Sequence, residues 1–303
     1  MTDSYVEIIR SASSALEPMP TGLTPKLPKL TSIRAVMFDI YGTLLVSASG
    51  DIGAADPTLR GEAFAEAINA IGGNLTGDAT SGAAEIRAEI ESHHERARGD
   101  GVRFPEVNIV EVWRESCQSL IERGLLQIPE KADWARLAIE FEVRVNPVWP
   151  MPRLGECMVE LRRVGAVMGI ISNAQFFTPL AVHAVVGKSL DQLGFSPDLR
   201  YYSYEHRRAK PGPELYNRAA AALADQQMEP QEVLFVGNDM RNDIWPAAAV
   251  GFRTALFAGD RRSLRLREDD QSFTPQCEPD ARVTDLSQIP SLVQPQADRE
   301  ERI

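Results

Sequence analysis

The stretch AVMFDIYGTLLVS, residues 35–47, decides the fold. Four apolar residues run straight into a carboxylate, Asp39, and a turn with Gly42 follows. A short apolar run closed by a turn is the pattern of a strand buried on both faces. An acid at the end of such a strand sits where parallel sheets carry their chemistry. Two residues later the chain places a phenol, Tyr41, where a second acid would be useful. Taken alone, Asp39 would equally suit a turn or a helix cap, so the rest of the chain has to decide.

Working outward, the period changes twice. From about 57 to 145 apolar residues recur at helical spacing: Phe64, Ala67, Ile68 and Ile71, then Ile86 and Ile90, then Val110, Trp113 and Leu120, then Trp134, Leu137 and Phe141. This predicts about four helices with no strand between them, punctuated by GGN at 72–74, RGDG at 98–101 and PEK at 129–131. After NPVWPMP (146–152) strands and helices alternate. Helix 153–164 precedes strand 167–172, and a helix around 177–190 precedes a strand YYSYE at 201–205. Helix 213–224 then leads to strand 232–238, helix 243–250 to strand 254–258, and 281–293 holds a last short strand and helix.

Such alternation implies an α/β protein: a Rossmann-like, doubly wound parallel sheet. The helical block is then an all-helical cap, inserted after the first strand over the carboxyl edge of the sheet. Residues 32–50 and 148–295 are assigned to the core and 51–147 to the cap. Residues 1–31 read as a partly disordered, proline-punctuated extension with one short helix near Val6–Ile9, and 296–303 as a flexible tail.

The net charge of −11 sets the field of the whole protein against nucleic acid and anionic membrane. An anionic substrate therefore needs a local positive centre. Three scattered cysteines, Cys117, Cys157 and Cys277, make no disulfide or zinc framework. No apolar run approaches the roughly 20 residues of a membrane span, and the start MTDSYVEIIRSASS lacks a secretory pattern. A cytoplasmic location is the expectation.

Three more strand ends carry polar residues. The strand GIIS ends in Ser172-Asn173, HRRAKPGPELY places Lys210 before a helix, and LFVGN runs into Asn238, Asp239 and Asp243. In one parallel sheet these clusters converge on Asp39. A carboxylate can form a covalent intermediate with an electrophile, and a hydroxyl and a lysine can bind the oxygens of an anion. Two facing strand-end acids repel unless a cation lies between them.

The set resembles the haloacid dehalogenase superfamily of hydrolases. FDIYGTLL (38–45), ISNA (171–174), KPGPELY (210–216) and VGNDMRND (236–243) are similar to its four motifs, in order. The resemblance implies Asp39 as nucleophile, Thr43, Ser172 and Asn173 as substrate contacts, and Lys210 as the charge-neutralising residue. It implies Mg²⁺ held by Asp39, the Tyr41 carbonyl and a fourth-motif side chain from among Asn238, Asp239 and Asp243. Counting from Gly237 selects Asn238, and counting back from Asp243 selects Asp239.

Tyr41 departs from the family's phosphatases, which carry an acid there. A phenol of pKa about 10 is a poor base at neutral pH. The family's 2-haloacid dehalogenases carry a tyrosine at this position, because halide leaves without a proton. Those enzymes use no Mg²⁺ and place an arginine soon after the first motif, whereas here the first arginine is Arg60. The expectation is a Mg²⁺-dependent phosphatase of a small anionic metabolite. A metal-independent dehalogenase and a weakly catalytic binding scaffold are the alternatives. His93 and His94 point about 100° apart on a helix and cannot share one metal. RRSLRLRE (261–268) reads as a solvated loop.

Overall fold

The structure, a computed structural model, describes residues 2–49, 57–268 and 277–293. Six parallel strands form its central sheet: β1 (Ala35–Phe38), β2 (Val167–Ser172), β3 (Phe195–Tyr202), β4 (Val233–Gly237), β5 (Arg253–Phe257) and β6 (Ala281–Val283). Their spatial order is β6-β5-β4-β1-β2-β3, with the order reversing beside β1. This is the doubly wound arrangement whose crevice opens at the carboxyl ends of the strands. Side chains of β1 alternate between two cores, as a strand's period of two requires. Val36 and Phe38 join one apolar cluster, and Ala35 and Met37 join the other, with Leu215 and Tyr216 of the helix Glu214–Asp225. Register then aligns the chemistry. Phe38 lies opposite Ile170 on β2 and Val236 on β4, so Asp39, Ser172 and Asn238 all emerge at one edge.

Four helices fill the insertion: α2 (Pro57–Ala70), α3 (Ala79–Gly99), α4 (Ile109–Glu122) and α5 (Trp134–Val145). The last three start on side-chain caps from Asp78, Asn108 and Asp133, the residue types that satisfy orphan N–H groups at a helix start. They share their own core, in which Trp113 stacks on Phe64 at 5.8 Å between ring centroids. A ribbon of Leu45–Ser47 and Val148–Pro150 joins this layer to the sheet. There Asn146 Oδ1 accepts from Ser47 Oγ at 2.7 Å and from Ser49 Oγ at 2.9 Å.

Several elements differ from expectation. A two-stranded ribbon, Asn74–Leu75 with Leu126–Gln127, lies among the cap helices. The third sheet strand ends at Tyr202, so YYSYE is half strand and half the helical turn Ser203–His206. The buried Ser203 hydroxyl donates to Glu106 at 2.7 Å and accepts from Ala174 N at 2.9 Å, which bends the chain there. The helix expected over 177–190 stops at Val186, because Gly187 adopts φ +74°.

The amino-terminal helix is longer than the short segment expected. It is α1, Thr2–Ala12, with Val6 and Ile9 buried. It packs against both α5 and the core helix Thr178–Val186. Tyr5 donates to Asp133 Oδ2 at 2.8 Å, and Arg10 donates to Ala184 O at 3.3 Å. The lead-in after it is tied down by backbone pairing of Lys26 with Arg282 and of Leu30 with Val293. A stripe of apolar residues three and four apart is what docks such a helix. The tail assigned to 296–303 lies outside the described residues. No described helix is long and apolar enough to cross a membrane.

If α1 is docked as described, Ile9→Ala removes a buried side chain and lowers the unfolding free energy by about 2–5 kcal/mol. A chemical-denaturation curve checks this, and an unmoved midpoint would show that α1 contributes nothing.

Candidate active site

Asp39 follows β1 directly and is nearly buried, its N–H bonded to Val236 O on β4 at 3.0 Å. Lys210 Nζ lies 2.7 Å from Asp39 Oδ1 and 2.6 Å from Asp243 Oδ1. All three side chains are buried. Burial alone would drive the Lys210 ammonium toward its neutral form; the charges of Asp243 and Asp39 outweigh it and raise the pKa above that of an ordinary lysine. Burial pushes the Asp243 carboxyl up to about 7, with Lys210 opposing and Asp39 adding to the rise. Asn173 fixes the lysine's backbone from both sides. Its Oδ1 accepts from Lys210 N at 2.8 Å, and its Nδ2 donates to Lys210 O at 3.2 Å.

The fourth-motif residues part company. Asn238 faces the Asp39 turn: its Oδ1 accepts from Thr43 Oγ1 at 3.1 Å, and its Nδ2 donates to Ser263 O at 2.5 Å. Asp239 is turned elsewhere. It caps the single π-type turn Met240–Ile244, accepting from Arg241 N at 2.8 Å, and the Arg267 guanidinium binds both its oxygens. Asp243 returns over that turn, with its Oδ2 accepting from Asp239 N at 2.9 Å. Gly42, at φ +79°, makes room for this packing, since a Cβ there would lie 2.5 Å from Ser263 Cβ and 2.7 Å from Asn238 Nδ2. Ser172 Oγ is buried with no hydrogen-bond partner among the described residues. The Tyr41 hydroxyl hydrogen-bonds Thr178 Oγ1 at 2.9 Å. Burial, then the charge of Glu142, raises its pKa above that of an ordinary phenol, which removes it further from acid–base work at neutral pH.

Residues 33–251 match the haloacid dehalogenase-like hydrolase family. The chain belongs to that family. Solved structures share the fold of this hydrolase. A 2-haloacid dehalogenase from Pseudomonas syringae pv. Tomato DC3000 is 18% identical over 86% of this chain and 97% of its own, with a TM-score of 0.53. A defluorinating L-2-haloacid dehalogenase is 22% identical over 88% and 98%, with a TM-score of 0.51. A HAD phosphatase from Thermococcus onnurineus is 16% identical over 85% and 96%, with a TM-score of 0.50. Among curated proteins no sequence matches.

The donor set of the hydrolase suits a hard divalent cation. Asp39 and Asp243 offer carboxylate oxygens and Asn238 an amide oxygen, beside a pocket of about 90 Å³. One or two carboxylates completed by water and substrate is the usual Mg²⁺ arrangement. Asp239 fits that role poorly, because Arg267 already neutralises it.

Four residues of this pocket escaped the sequence reading: Ser47, Asn242, Ser263 and Arg265. Two of them lie in the run 261–268, which is not a solvated loop. Arg265 N bonds Asn238 O at 3.0 Å, and Met240 N bonds Arg265 O at 2.9 Å, so the run lies along the fourth motif like an added strand. Its alternation, with Leu264 and Leu266 against a small apolar cluster and Ser263, Arg265 and Arg267 turned to the site, was the available signal. His93 and His94 do diverge: His93 meets Glu115 at 2.9 Å, and His94 lines the cap cavity.

Lys210→Met leaves two buried carboxylates facing each other and is expected to lower stability by about 3–5 kcal/mol. A denaturant titration reads this. Unchanged stability would mean that the two acids are not charged together.

Proposed function

We propose that the protein is a Mg²⁺-dependent hydrolase of phosphate esters or acyl phosphates of small anionic molecules. The observation that carries this reading is the charge count around Lys210. Two buried carboxylates share one ammonium, so with both ionised the cluster that holds the nucleophile carries a net negative charge. Buried charge is costly without a counterion, and an anionic substrate would be repelled by it. When bound, Mg²⁺ would supply the missing positive charge and draw the substrate oxygens toward Asp39, with Asp39, Asn238, Asp243 and the Tyr41 carbonyl as its holders.

The remaining roles belong to the chain. Lys210 occupies Asp39 Oδ1, so Oδ2 is the attacking oxygen. It bonds to phosphorus as the leaving oxygen departs, and water then cleaves the aspartyl-phosphate. Ser172 Oγ, at the end of β2 and without a hydrogen-bond partner among the described residues, would donate to a phosphoryl oxygen, and Thr43 steadies Asn238. No acid stands at position 41 to protonate the leaving group. Good leaving groups are therefore favoured.

The position of Tyr41 also favours a second reading. Its hydroxyl is committed to Thr178, and a reaction that expels halide asks for no proton there. In that case Asp39 attacks carbon in a 2-haloacid.

Mg²⁺ and beryllium fluoride together are expected to raise Tm more than either alone, with the gain lost in Asp39→Ala. Chloride release from 2-chloropropionate that is indifferent to chelator would overturn the phosphatase reading. On that reading, p-nitrophenyl phosphate should exceed a simple alkyl phosphate in kcat/KM by about 10²–10⁴-fold, the usual worth of a general acid. Equal rates would mean that another group supplies the proton.

A further inference from the structure

Between the cap helices and the sheet lies a cavity of about 460 Å³. Asn173 lines both it and the catalytic pocket, so the two meet beside Lys210. The volume suits a ligand of many atoms. Its walls are largely apolar, with Ile86, Ile90, Trp113 and Phe141 contributing. Set into them are two guanidinium groups, Arg60 on α2 and Arg87 on α3.

These arginines make no close ion pair among the described residues, and Glu142 and Glu91 act on them only through space. Salt bridges tie off many charges of the cap, yet neither Arg60 nor Arg87 has a carboxylate within 4.0 Å among the described residues. Arg60 is half-buried and lies over the Phe141 ring at 5.5 Å. Burial lowers its pKa and the charge of Arg87 lowers it further, while the charge of Glu142 opposes both. Three acids share the wall, and each has a nearer partner: Glu106 accepts from Ser203 Oγ at 2.7 Å and from Val107 N at 2.8 Å. Glu91 pairs with Arg98 at 3.0 Å, and Glu142 accepts from Asn146 at 3.1 Å. A protein of net charge −11 has therefore set two neighbouring cations, without a contact ion pair among the described residues, into a largely apolar wall. Guanidinium groups against an aromatic face are suited to a planar oxyanion.

We propose that Arg60 and Arg87 dock a carboxylate at the far end of the substrate, on an apolar or aromatic leaving group whose body lies against Trp113 and Phe141. This names the substrate class for the phosphatase reading and rests on it for the reacting end only.

Two matched esters test it: 4-carboxyphenyl phosphate and 4-carbamoylphenyl phosphate, similar in size and differing in the remote charge. The carboxylate should be favoured in kcat/KM by at least about tenfold, the discrimination expected of one hydrogen bond to a charged group. Arg60→Gln and Arg87→Gln should each bring that ratio toward unity. Calorimetry with 4-hydroxybenzoate against 4-hydroxybenzamide reads the same preference without any turnover, and Arg60→Gln should abolish it. If both esters are hydrolysed equally and both phenols bind equally, the docking site is overturned while the phosphatase reading survives. If neither ester is hydrolysed but 4-hydroxybenzoate binds through Arg60, the docking site stands and the phosphatase reading fails.

Discussion

One ammonium group between two carboxylates organises this molecule. Asp39, Asp243 and the side chain of Lys210 come from three separate parts of the chain, and each is too polar to be buried alone. Together they satisfy one another at 2.6–2.7 Å. The parallel register of β1, β2 and β4 brings the strand ends level, and Asn173 clamps the lysine's backbone so that its side chain reaches inward. Remove the lysine and the same register would force like charges together. The fold and the site are thus one electrostatic solution, which on the proposed reading a divalent cation would complete.

Chemistry and recognition are divided between the two layers. The sheet edge supplies short-range polar groups on rigid elements. The helical layer supplies a large, mostly apolar-walled volume with charge at selected points. Replacing an acid with Tyr41 changes how these halves must cooperate. The phenol is turned to Thr178, so on the proposed reading the nature of the leaving group carries more of the burden. A leaving group held by its far end is positioned without help from position 41.

Much of this was legible in the residues. Apolar runs ending in Asp39, Ser172 and Asn238 revealed the parallel strands, because a buried strand has only a few residues in which to change from apolar to functional. The four helices of the insertion followed from their spacing. What stayed hidden depends on contacts between distant segments. Asn238 and Asp239 are neighbours with equal claims by counting, and only the ion pair with Arg267 separates them. That arginine sits in a run whose charge suggested solvent, although its leucine alternation pointed to a packed strand. Nor does any local pattern show that Arg60 and Arg87 lack a close ion pair among the described residues, since a missing partner depends on contacts between distant segments.

The amino-terminal helix touches both layers, through Asp133 at the start of α5 and through Ala184 in the core. Its position has a thermodynamic consequence. Any movement of α5 away from the sheet must strain or break one of those attachments, so a ligand that shifts α5 would be linked to the seating of the helix. By reciprocity, a ligand that draws the layers together tightens the helix by the same factor that the helix tightens the ligand. For a ligand that does so, residues 2–12 would set affinity from outside the cavity, through their contacts with α5 and the core rather than by lining it.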